Sequence, residues 1–133
     1  MGVAYFIVLD NNQPGFDTLV GGKGLAKESD RLVGPLKSAG LRALNDFLSY
    51  SPEEIEAMRE EFGTEETPDW YKGEQWFDAK EGIEWVRSVR ELIQSGKAVV
   101  KNGDLVASDL DEYETVLRQA DAIGARWHLS IDY

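Results

Sequence analysis

Two short apolar runs lie at opposite ends of this chain, and they constrain its fold more than anything between them. Val3–Leu9 (VAYFIVL) is rich in β-branched and aromatic residues and stops at Asn11, Pro14 and Gly15, residue types that favour turns. At the other end, Trp127, Leu129 and Ile131 alternate with His128, Ser130 and Asp132. That two-residue period belongs to a strand with one apolar and one wet face. Isolated short strands are not stable in water. The two runs are therefore expected to pair side by side in one sheet. Everything between them must then pack against it.

The intervening sequence reads mainly as helix. Ser51 followed by Pro52 and Glu54 forms a capping box with proline at the first helical position. This predicts a helix over 52–62 that closes at Gly63, with Ile55, Met58 and Phe62 on one face. Asp78 and Glu81 open a second helix, 79–95, whose buried stripe runs through Ile83, Val86, Val89 or Arg90, and Ile93, widened by Trp85 and Leu92. At Asn102–Gly103 a hairpin signal competes with helical spacing. Val106, Leu110, Tyr113, Leu117 and Ala120 sustain that spacing over five positions, so a helix over 104–123 is predicted, capped by Asn102 or Asp104. Residues 30–39 are a weaker helix interrupted by Gly34–Pro35, and 41–49 a short one through Leu41, Leu44 and Leu48. The stretch before them, around Gly21–Gly22, reads as a hairpin or loop. The expected architecture is a single α+β domain over 1–133, with the terminal strands in one sheet against several amphipathic helices.

Charge narrows the function classes. The net charge is −11. Residues 51–81 hold eleven acids and three bases, a balance of −8. Such a surface repels nucleic acid and anionic membrane, both of which need a basic footprint. It can attract a basic protein. There is no cysteine, which removes disulfides, thiolate metal sites and cysteine nucleophiles. Val3–Leu9 is too short for a signal segment or a membrane span, so a soluble cytoplasmic protein is expected.

Motifs that would carry catalysis fail on inspection. Leu19–Gly24 (LVGGKG) resembles a phosphate loop, but Asp17 and Gly24 stand where a Gly and a Ser or Thr are needed. The third glycine of a dinucleotide fingerprint is replaced by Lys27. Asp10–Gly15 begins like a calcium loop, yet Pro14 and Gly21 occupy ligand positions. His128 is the only histidine and has no second imidazole for a metal site. It reads as a structural or surface residue on the wet face of its strand, with Asp132 on the same side. No cofactor is expected.

What remains is Asp69–Asp78 (DWYKGEQWFD), with four rings among three acids and one lysine. Trp76 and Phe77 precede the Asp78 cap and are expected to face the core, Phe77 against Ile83 and Val86. Trp70 and Tyr71 lie in a polar stretch with no periodic partner. Exposed rings are common anchors of recognition surfaces. Trp70, Tyr71, Lys72 and Glu74 therefore form the candidate contact patch.

The segments EQWFDAKEGIEWVRSV, DLDEYETVL and ARWHLSIDY resemble a family of short uncharacterised bacterial proteins. In these a Gln-Trp-Phe-Asp turn leads into a helix with an early Gly, and an aromatic-His-Leu strand closes the chain. The likeness covers the C-terminal half. That family has no assigned activity, so the resemblance implies a bacterial cytosolic protein and no site residues. On the residues themselves, the first reading is a non-enzymatic binding module that docks a basic protein partner through its acidic face. The alternative is a small enzyme or ligand binder with a carboxylate-lined pocket near the Trp-rich loop. A homodimer subunit is a third reading.

Overall fold

The computed structural model describes residues 4–132 apart from 12, 19, 68, 70 and 72. The terminal runs pair as expected. Strand β1 (Ala4–Leu9) lies antiparallel to β3 (Arg126–Asp132), with Tyr5 opposite Ile131, Ile7 opposite Leu129 and Leu9 opposite Trp127. A two-residue strand, β2 (Phe77–Asp78), pairs with the other edge of β3, giving the order β1-β3-β2.

Four helices complete the fold: α1 (Lys23–Ser38), α2 (Pro52–Phe62), α3 (Ala79–Gln94) and α4 (Gly103–Ala122). Helices α2, α3 and α4 match the sequence reading to within a residue at each end. The capping box is in place. Ser51 Oγ accepts from the Glu54 N–H at 3.1 Å, and Glu54 accepts from the Ser51 N–H at 3.0 Å. Gly63 closes the helix at φ 65°. The stripe on α4, Val106, Leu110, Tyr113, Leu117 and Ala120, is buried in full. With Val86 and Val89 of α3, and Leu25, Leu32 and Leu36 of α1, it packs on Tyr5, Ile7, Trp127 and Leu129 of the sheet. No helix among the described residues is long and apolar enough to cross a membrane.

Four expectations need correction. The stretch after Gly22 is helical from Lys23, neither hairpin nor loop, and Pro35 sits inside α1 near its end. A proline there forgoes one backbone bond, while Leu25, Leu32 and Leu36 stay buried on one face. Residues 41–49 hold only a 3₁₀ turn, Leu44–Phe47, which buries Leu44 and Phe47. Helix α2 buries Ile55, but Phe62 on its last turn is 72% exposed. The last correction concerns the supposed wet face of β3, which is covered: His128 and Ser130 are buried.

Carboxylates from distant helices take the place of local caps. Neither α1 nor α4 has a side-chain cap of its own. Asp109 Oδ2 of α4 accepts from the Leu25 N–H of α1 at 3.0 Å, and Glu112 Oε1 accepts from the Gly21 N–H at 3.3 Å. In return Glu28 of α1, itself buried, accepts from the N–H groups of Lys101 and Asn102 at 2.7 and 3.0 Å, just before α4. Negative charge at each helix start also complements the helix dipole.

Arg90 ties α3 to α4 through Glu114 and Asp111, each at 2.8 Å. Hydrogen bonds from Arg90 and Arg118 hold the Glu114 carboxyl below its ordinary value of 4.5. A lowered carboxyl contributes stability that is full above the ordinary value and is lost as pH falls through the folded one. Glu114→Gln is expected to cost about 1–2 kcal/mol at neutral pH, a figure discounted because Arg118 is half exposed. Urea melts check the sign: the gap between wild type and variant should narrow as pH drops below 4.5.

Candidate functional site

The candidate site is built where two loops meet β3 beyond its short pairing with β2. Beyond the 3₁₀ turn the chain extends, and Leu48 bridges to Leu129 in parallel. The Ser49 N–H donates to the Leu129 carbonyl at 3.1 Å. Ser49 Oγ in turn accepts from the Gln75 N–H at 2.6 Å. The aromatic loop is thereby fastened to residues 48–50, and these to the sheet. Between the two loops lies a cleft of about 440 Å³, lined by Asn45, Asp46, Leu48, Tyr50, Tyr71 and Gln75 among others.

The rings of the aromatic segment divide as follows. Phe77 is buried, and its ring neighbours are Phe47 at 5.1 Å and Trp127 at 6.2 Å. The Arg42 guanidinium lies 5.3 Å from its centroid. Trp76 is half-buried and lies over the His128 imidazole at 4.6 Å. Tyr71 is half-buried on the cleft wall, and Glu74 is exposed. Trp70 and Lys72 lie outside the described residues, so the four-residue patch is represented by Tyr71 and Glu74.

His128 has structural surroundings. It is 1% exposed. Nδ1 is 3.0 Å from the Leu129 carbonyl, and Nε2 stands 3.9 Å from Glu74 Oε2, an ion pair only when the ring is protonated. A general base needs a substrate proton within hydrogen-bond reach, and Trp76 covers this ring. Among the described residues no group of His, Cys, Asp or Glu could hold a metal ion.

Comparison with protein-family models, with curated proteins and with solved structures finds no match. The site must therefore be read from its own chemistry. Asp46 Oδ2 accepts from the Ala43 N–H at 3.0 Å, and Oδ1 has no partner among the described residues. Asn45 Oδ1 accepts from the Tyr5 hydroxyl at 2.7 Å. Asp46 is the single carboxylate among the cleft's described lining.

Sequence reading missed Asn45, Asp46 and Tyr50 as site residues because 41–49 read as a short helix, with Tyr50 between it and the Ser51 cap. The one available signal was Tyr50, an aromatic placed directly before the Ser51 cap.

Proposed function

We propose that this chain is a non-enzymatic binding module whose acidic face docks a basic protein. The observation that carries the reading is α2. It buries one residue, Ile55, and exposes Glu53, Glu54, Glu56, Glu60 and Glu61 together with Phe62. The following loop adds Glu65, Glu66 and Asp69, all exposed. Arg59, the one base of α2, donates to the Glu65 carbonyl at 3.2 Å, and its single positive charge offsets only one of these eight acids. An exposed ring amid carboxylates supplies an apolar anchor inside a field that attracts cations. Charge of this kind sets encounter rate and specificity more than final affinity.

The test is capture from a bacterial lysate on the immobilised protein at low and high salt, followed by kinetics with the captured protein. A basic partner is expected, released by salt, with no salt-sensitive binding of DNA or RNA. The double variant Glu60→Lys, Glu61→Lys should lower the on-rate about tenfold or more. Phe62→Ser should speed dissociation while leaving the urea midpoint almost unchanged, since an exposed site leaves no cavity. Capture of acidic proteins, or binding indifferent to salt, would overturn the reading.

A further inference from the structure

We infer that the cleft lined by Asn45, Asp46, Tyr50, Tyr71 and Gln75 is a socket for one arginine side chain of the basic partner. This inference rests on the acidic-docking reading above and deepens it. The cleft adjoins the acidic face directly: Tyr50 precedes the α2 cap, and Tyr71 and Gln75 belong to the acidic segment itself. Its volume of about 440 Å³ admits a long side chain with adjoining backbone.

The lining suits a guanidinium. Tyr50 and Tyr71 contribute to the walls, and the Tyr71 hydroxyl is buried. A guanidinium is planar, weakly hydrated and attracted to ring faces. Asp46 is exposed, and among the described residues its Oδ1 has no donor. The Gln75 side chain, also exposed, adds a neutral acceptor. Asp46 is the one charged side chain among the cleft's described lining. The positive start of α2 is offset locally by Glu53 and Glu54 in its first turn. An ammonium cannot stack flat or fork between acceptors, so arginine is preferred to lysine.

Nuclear magnetic resonance titration tests this with three capped peptides, of arginine, lysine and citrulline, the last being the uncharged isostere of arginine. The arginine peptide is expected to shift backbone amides in 45–50 and 71–75, more tightly than lysine, while citrulline leaves them unmoved. Asp46→Asn keeps an acceptor for the Ala43 N–H and should weaken the arginine peptide about threefold to tenfold, as should Tyr50→Leu. If the arginine peptide binds with salt sensitivity but shifts only α2, and Asp46→Asn has no effect, the socket is wrong while acidic docking stands. Equal binding of lysine and arginine peptides likewise overturns the socket. If neither charged peptide binds even at low salt, the acidic-docking reading fails, and the socket with it.

Discussion

Replacing Trp127 by alanine is expected to remove about 3–5 kcal/mol of stability, the usual range for a buried aromatic. That is a large share of the roughly 5–15 kcal/mol that holds a domain folded. Trp127 is 1% exposed and sits at the junction of most of the fold. It lies opposite Leu9 of β1 and Phe77 of β2. Its ring stacks on Phe47 at 4.7 Å, and its Nε1–H donates to the Asp78 carbonyl at 3.0 Å. Beneath it Gly82 leaves room: a Cβ there would fall 2.6 Å from Trp127 Cζ2. Truncation would open a cavity against three elements and leave the carbonyl that starts α3 without its donor. The urea midpoint should move by on the order of 2 M. Trp127→Phe keeps most of the volume and should lose clearly less. Equal losses for the two variants would mean that the hydrogen bond to Asp78, and not the packing, is what matters.

Gly22→Ala should be nearly as damaging, about 2–5 kcal/mol, for a different reason. Gly22 has φ 71°, where a side chain costs about 1–2 kcal/mol. An added Cβ would also fall 2.1 Å from the Tyr5 carbonyl oxygen. That neighbour is backbone held in the sheet and cannot rotate away, so overpacking adds about 1–3 kcal/mol more. Gly63 separates the two effects. Its φ is 65°, but nothing lies within 4 Å of a Cβ there. Gly63→Ala should therefore show the conformational cost alone, about 1–2 kcal/mol. Similar melts for the two variants would contradict the close approach at Tyr5. The same geometry accounts for the phosphate-loop look of Leu19–Gly24. A Cβ at Gly21 would meet Asp109, and one at Gly24 would meet Leu105. These glycines let α1 approach β1 and α4.

Several parts of the protein were written in local sequence. The capping box at Ser51 and Glu54 involves residues three apart, so α2 could be placed to the residue. The α4 stripe repeats at five positions and outweighed the Asn102–Gly103 hairpin signal. The terminal strands had to pair because neither could stand alone, and their partnership followed without any knowledge of the helices.

Other features depended on groups far away in the chain. The start of α1 carries no local side-chain cap; its Leu25 N–H is met by Asp109, 84 residues on, and the Gly21 N–H just before the helix by Glu112, 91 residues on. Alternation in β3 correctly placed His128 and Ser130 on one face but could not say that the face is covered, which depends on Trp76 from another loop. Helical spacing put Phe62 on the side of Ile55, yet it is exposed. The cleft needs Asp46 and Tyr50 from one loop and Tyr71 and Gln75 from another, joined through the Ser49 hydroxyl. Periodicity records which side chains point the same way, because covalent geometry sets that residue by residue. Whether anything lies opposite them is a property of the packed chain, and only the tertiary structure decides it.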